Sequence, residues 1–229
     1  MSGVALWPLA ARVARRYAEA PRHARGFARG KLLTDPATGA MLHLARTAHG
    51  FGTVADLGCG YGQMGLALLL AGLADSVAGL DLDPGRIAAA RSAATGLPAQ
   101  YACTDLGTAA IPPCDTAIIL DVLLQMPEAA QRGLLARMAA VARRRIVIRA
   151  FDPARGWRSR LGGVMERAGC RLRRDGSGFL PLPLADLAEP MRAQGFSVRI
   201  DPCWGWTPLP NVMLIAERAP PLPRAATLC

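Results

Sequence analysis

Between Val54 and Gly65 the chain reads V-A-D-L-G-C-G-Y-G-Q-M-G. A short apolar run carries an acid, Asp56, near its end and then breaks into alternating glycines at Gly58, Gly60 and Gly62. A second apolar run, Met64 to Leu73, has helix-forming composition. Strand, glycine turn and helix in that order form the opening unit of an open α/β sheet, in which ligands bind beyond the carboxyl ends of the strands. Glycines at such a turn admit backbone conformations closed to other residues and let a ligand approach without Cβ atoms in the way.

Two kinds of ligand compete for the turn. Gly60-Tyr61-Gly62-Gln63-Met64-Gly65 satisfies G-x-G-x-x-G, and Asp81 follows at about the 20-residue spacing of the dinucleotide fingerprint. A dinucleotide, however, brings an anionic pyrophosphate to the helix N-terminus, where Asp56 would repel it. A carboxylate ahead of the first glycine suits a cationic ligand, one carrying an ammonium or a sulfonium group.

Asp56-Leu57-Gly58-Cys59-Gly60-Tyr61-Gly62 resembles motif I of the class I S-adenosylmethionine-dependent methyltransferases, whose cofactor carries both cations. The likeness continues in order along residues 30–218. V-A-G-L-D-L-D-P at 77–84 is similar to the second strand of that family, which implies that Asp81 holds the ribose hydroxyls and that Leu82 packs on the adenine. Cys103-Thr104-Asp105-Leu106 resembles the third-strand motif, whose acid meets the adenine amino group. C-D-T-A-I-I-L-D-V-L-L-Q-M-P at 114–127 resembles the fourth strand and its following turn, placing Asp121 beside the transferred methyl group. The resemblance implies a Rossmann-like, mostly parallel seven-stranded sheet of order 3-2-1-4-5-7-6, last strand antiparallel, with helices on both faces. It also implies S-adenosylmethionine as cofactor and cofactor contacts at Asp56, Gly58, Gly60, Gly62, Asp81, Leu82, Asp105, Leu106 and Asp121. K-L-x-x-D-P at 31–36, R-x-F-D at 149–152, Gly156-Trp157 and W-T-P-x-x-N-V at 206–212 are similar to a bacterial subgroup that accompanies aryl-polyene and related pigment synthesis. That implies an aromatic or acyl acceptor, free or on an acyl carrier protein. A nucleic-acid methyltransferase and a non-catalytic cofactor-binding protein stand as alternatives.

The alternation of strand and helix patterns along the chain by itself implies parallel pairing with right-handed crossovers. Strands are expected near 53–57, 76–81, 98–102, 115–121, 145–150, 196–200 and 211–217, and helices near 4–19, 35–49, 63–73, 84–95, 128–142, 157–168 and 184–194. Asp35-Pro36 and Asp83-Pro84 each place an N-cap ahead of a proline at the first helical position. Residues 21–34 read as a basic, glycine-containing linker, so residues 1–34 are expected to form a helix and linker that close over the site as a lid. Residues 35–218 form the main domain, 151–183 a substrate-side insertion, and the proline-rich 219–229 a disordered tail.

At 229 residues a single core of ordinary size is expected. No uninterrupted apolar run reaches the ~18 residues of a membrane span, and no basic segment precedes the first apolar stretch, so a cytoplasmic protein is expected. Six cysteines form no C-x-x-C pair, consistent with a reducing compartment. The net charge is +10 and unevenly placed. Seven basic side chains oppose Glu19 within residues 1–31, and thirteen arginines oppose Asp152 and Glu166 within 132–174. Basic blocks at 12–31 and 132–174 suggest an acidic protein or an anionic membrane surface, at most peripheral, as partner, ahead of nucleic acid.

Methyl transfer asks the protein for alignment, exclusion of water and sometimes a base. The candidates for that work are His43, Asp121 and Arg149. No metal is expected, because strand five ends Arg149-Ala150-Phe151-Asp152 without the acid-amide pair that a magnesium-dependent relative carries. Arg149 can hold a substrate carboxylate bidentately or pair with Asp152. Gln125, Trp157, Trp206 and Asn211 complete the expected substrate wall.

Overall fold

The computed structural model describes residues 6–164, 179–205 and 207–219. Seven strands form one sheet: β1 (Thr53–Leu57), β2 (Ser76–Asp81), β3 (Ala99–Cys103), β4 (Cys114–Leu120), β5 (Ala142–Phe151), β6 (Ser197–Pro202) and β7 (Asn211–Glu217). Their order is β3-β2-β1-β4-β5-β7-β6. The first five are parallel and β7 runs antiparallel to both neighbours. This is the sheet expected from the sequence.

Eight α-helices are described: α1 (Leu6–Arg16), α2 (Arg22–Thr34), α3 (Pro36–Thr47), α4 (Gln63–Leu70), α5 (Pro84–Ala93), α6 (Glu128–Val141), α7 (157–164) and α8 (Leu184–Ala193). Strand side chains alternate between faces, and the core divides accordingly. Val54, Ile118, Val147 and Met213 pack with α1–α5 on one face. Ala55, Leu57, Ile119, Ile146, Ile148 and Leu214 pack with α6 and α8 on the other. Both expected caps form: Asp35 Oδ1 accepts from the Ala37 amide at 2.9 Å, and Asp83 Oδ1 from Gly85 and Arg86 at 2.8 and 3.0 Å.

Residues 21–34 depart from expectation. They form α2 rather than a linker. Ala24, Ala28 and Leu32, at i, i+4 and i+8, make a narrow buried stripe, whereas no protein atom lies within 4 Å of the Cβ position at Gly26 or Gly30. Each such glycine costs about 1 kcal/mol against alanine, and packing against α1 and α4 outweighs it. Much of the second basic block is structural. Arg132 joins Glu128 and Asp186, Arg145 joins Glu217, and Arg137 donates to the Leu106 carbonyl.

Tyr101 of β3 stands opposite Gly79 in register. A Cβ at Gly79 would lie 2.3 Å from the Tyr101 ring, one at Gly62 2.7 Å from it, and one at Gly65 3.2 Å from its hydroxyl. Three glycines thus accommodate one aromatic ring. We expect Gly79→Ala to destabilise the fold by about 1–3 kcal/mol, the cost of overpacking, and Tyr101→Leu in the same chain to recover part of it. Denaturant midpoints of the single and double variants check this.

Candidate functional site

The site is assembled from the carboxyl ends of β1, β2, β4 and β5. After β1 the backbone takes positive φ at Gly58, Gly60 and Gly62 (71, 56 and 75°). The three glycines differ in what their missing side chains leave room for. A Cβ at Gly58 would strike Val122 at 2.2 Å, and one at Gly62 would strike Tyr101. At Gly60 no protein atom lies within 4 Å. Gly58 and Gly62 thus make room for neighbouring side chains, whereas the space beside Gly60 is open.

Two carboxylates brace the turn. Asp81 Oδ2 accepts from the Gly60 amide at 2.8 Å and Oδ1 from the Asp83 amide at 3.0 Å. Each oxygen keeps a further lone pair. Asp56 is 3% exposed, and its Oδ2 has no hydrogen-bond partner. Burial, then the nearby Asp81 charge, push its pKa up to about 7, against the pull of the Gly65 amide. Gln63, the first residue of α4, is also buried with its Oε1 unpartnered. Two orphaned acceptors beside one glycine turn require a donor, and an ammonium group meets that need. Beyond β2, Leu82 is 69% exposed, an uncovered apolar surface next to Asp81. Leu106 is buried. Asp105 is exposed and accepts from the Gly107 amide at 2.8 Å, closing its own turn.

The ends of β4 and β5 hold an ionic quartet. Lys31 Nζ lies 2.8 Å from Asp35 Oδ2 and 2.7 Å from Asp121 Oδ2. Arg149 Nη1 lies 2.8 Å from the same two oxygens. Four elements contribute: α2, the cap of α3, the turn after β4, and β5. Burial opposes the Lys31 charge, but Asp121 and Asp35 outweigh it and hold its pKa above the ordinary value. Burial likewise opposes the Asp35 charge, but Arg149 and Lys31 outweigh it and hold its pKa low. Asp121 sits in the left-handed region at φ 66°, a costly conformation for a residue with a side chain. Arg149 does not pair with Asp152, which accepts instead from Arg155 at 3.1 Å. The Arg149 Nε is buried without a partner.

The remaining candidates are placed as follows. Gln125 is exposed and donates to the Asp121 carbonyl at 2.9 Å. Asn211 is buried at the start of β7, opposite Phe151. His43 lies on the exposed side of α3, whose buried positions are 37, 38, 41, 42, 44 and 45, so the fold does not bring it to Asp121 and Arg149. Trp157 is 65% exposed on α7. Trp206 lies outside the described residues. Gln63 and Tyr101 went unpredicted. Gln63 had a signal: it is the lone polar residue of the run Q-M-G-L-A-L-L-L.

The N-terminal helices cover this arrangement. Tyr17 donates to the Tyr61 carbonyl at 2.6 Å, and the Phe27 ring lies 5.3 Å from that of Tyr61. Tyr17 is 1% exposed, and burial pushes its hydroxyl pKa up, keeping it a neutral donor.

Residues 54–145, less than half of the chain, match the family profile of a methyltransferase domain. No curated protein matches in sequence. Among solved structures, the chain is similar to magnesium protoporphyrin IX methyltransferase (ChlM) from Synechocystis PCC 6803 with bound SAH, at 21% identity over 91% of this chain and 94% of that one, TM-score 0.63. An O-methyltransferase family protein from Burkholderia thailandensis is 18% identical over 95% and 69%, TM-score 0.61. The [4+2]-cyclase SpnF is 16% identical over 80% and 81%, TM-score 0.59. These likenesses establish the fold as that of class I methyltransferases.

Removing one member of the quartet leaves a buried charge uncompensated. We expect Arg149→Met to destabilise the chain by about 3–5 kcal/mol at neutral pH, measured by denaturant unfolding. The Asp35 contribution is full above the ordinary carboxylate range, near pH 4, and is lost as pH falls through its lowered pKa.

Proposed function

We propose that this chain is an S-adenosylmethionine-dependent methyltransferase acting on a small-molecule acceptor. The observation that carries the proposal is the fully buried, half-satisfied Asp56 carboxylate beside a turn whose Gly60 opens to empty space. Its neighbourhood fits the cofactor at both ends. Asp56 and Gln63 would hold the ammonium end, Asp81 the ribose hydroxyls, and Leu82, Leu106 and Asp105 the adenine. Bound there, S-adenosylmethionine supplies an activated methyl group on a sulfonium.

The chain's own residues supply position and dryness. α1 and α2 act as a lid, with Tyr17 and Phe27 seated on Tyr61 and Lys31 fastened to Asp121. Asp121 is a positioning residue: its carboxylate is shared between two cations, and its left-handed backbone turns the chain beneath the acceptor. Arg149 fixes Asp121 with one nitrogen and keeps its Nε for the acceptor. With no imidazole at this end, alignment and an acceptor that needs little help to lose its proton account for transfer. An aromatic or acyl acceptor, free or carrier-bound, fits this reading. The matching fold of a cyclase makes direct detection of transfer essential, and labelled methyl from the cofactor appearing in phenolic or acyl acceptors is the test.

Cofactor affinity should depend on pH in a specific sense. Cation binding needs the Asp56 carboxylate, which is mostly protonated below its pKa of about 7. S-adenosylmethionine should therefore bind about fivefold more tightly near pH 7.4 than at pH 6, and the gain should fall off above that as its own α-ammonium, with a pKa of about 7.7–8.0, loses its proton. Asp56→Asn should flatten the profile in isothermal titration. The same variant should make the free protein more stable at pH 8. A carboxyl pKa raised by folding contributes destabilisation that grows from pH ~4 to ~7, so removing the charge recovers about 1–3 kcal/mol. Asp81→Ala should weaken S-adenosylmethionine at least tenfold, about 1.5–3 kcal/mol for lost bonds to a charged acceptor. An unchanged affinity would remove Asp81 from the site.

A further inference from the structure

Helix α7 is built inside out. Its inward positions are small: Gly162 and Gly163 are buried, and a Cβ at Gly162 would lie 2.8 Å from the Phe151 ring and 3.1 Å from Pro210. Its outward positions are large and apolar. Trp157, Leu161 and Val164, at i, i+4 and i+7, are 65, 42 and 59% exposed. In a water-facing helix the apolar stripe turns to the core. Arg160 is exposed within this stripe, Arg155 and Arg158 flank it, and residues 153–164 contain no acid.

The lid repeats the combination. Trp7 is 66% exposed with the Arg29 guanidinium 5.6 Å over its ring, and Phe27 is 48% exposed. Arg12, Arg15, Arg22 and Arg25 are exposed around them, against Glu19 as the one acid between residues 6 and 34. Both elements stand at the carboxyl end of the sheet. Lys31 of α2 reaches Asp121. Arg158 of α7 lies 4.7 Å over the Trp204 ring, and the Gly205 Cβ position is 2.6 Å from Pro36 at the start of α3.

We propose that this face is a docking surface for an anionic lipid bilayer. Trp157, Leu161, Val164, Trp7 and Phe27 lie at the headgroup–acyl boundary, and the arginines meet lipid phosphates. No helix among the described residues is long and apolar enough to cross a membrane, so the contact is interfacial. Charge alone would equally serve RNA or an acidic protein. The exposed rings could stack on bases, but the aliphatic continuation through Leu161 and Val164 could not, and it would stay uncovered against RNA or a purely acidic partner. A consequence that rests on the proposed function is that the acceptor is an amphiphile taken from the bilayer.

The test is flotation of the full chain with vesicles of phosphatidylcholine, alone or with roughly one-third phosphatidylglycerol, at about 0.15 M salt. At least about tenfold more protein should float with the anionic vesicles. Leu161→Ser/Val164→Ser, and separately Trp7→Ser, should each lower that binding about fivefold or more. Thermal midpoint and S-adenosylmethionine titration should stay unchanged, which shows that the variants are folded. Absence of flotation with anionic vesicles would overturn the proposal. So would flotation that survives all three serine substitutions, or binding to RNA with none to vesicles. Flotation retained in a chain that binds no S-adenosylmethionine would instead sink the proposed function and leave the docking surface standing.

Discussion

A carboxylate with one oxygen unbonded, buried near the end of β1, sets the terms for the rest of this molecule. Burying a charge without full compensation is unfavourable, and the nearby Asp81 charge adds to burial in opposing the ionisation of Asp56. Nothing in the packing of β1 demands an acid there. The strand is otherwise Thr-Val-Ala and Leu, and an apolar residue would be more stable. A site that lowers the stability of the empty fold is the usual mark of a group kept for a ligand. Gln63 repeats the pattern one turn away with a second unsatisfied acceptor.

Around that defect the fold is held rigidly. Tyr101 fills the space left by Gly62, Gly65 and Gly79 and donates to the Gly62 carbonyl at 3.3 Å. The Gly58 and Cys59 amides bond to the Leu80 carbonyl at 2.7 and 3.0 Å, and Gly60 is clipped by Asp81. The glycine turn is therefore preorganised, and a ligand meets fixed dipoles rather than having to order a loop. At the other end the quartet of Lys31, Asp35, Asp121 and Arg149 ties α2 and the cap of α3 to the ends of β4 and β5. Its two positive and two negative charges balance, which leaves the Arg149 Nε as a buried donor without a partner.

What could be read from residues alone was what is encoded locally. Asp35-Pro36 and Asp83-Pro84 carry their own capping chemistry within three residues, and both formed as written. The strand order was implied by the resemblance of the motif series to a known family, and the sheet has that order. What could not be read depends on partners distant in sequence. That Gly58 and Gly62 also leave room for Val122 and Tyr101 could not be read from the motif. Helix α2 was hidden because its glycines occur on the side that no neighbour covers, leaving a stripe of only Ala24, Ala28 and Leu32. His43 was named as a candidate base, yet the helix turn puts it on the exposed side of α3, opposite the buried Met41, Leu42 and Leu44. Arg149 was singled out, but its pairing with Asp35 and Asp121 instead of Asp152 required the lid to be in place.

The most direct measurement is the carbon-13 carboxyl titration of Asp56 in the folded chain, with and without S-adenosylmethionine. The account predicts a midpoint near neutrality in the free protein and a fall out of that range on binding, as an ammonium group takes the unbonded oxygen. A midpoint in the ordinary carboxylate range near pH 4, or one that the cofactor leaves unmoved, would contradict it.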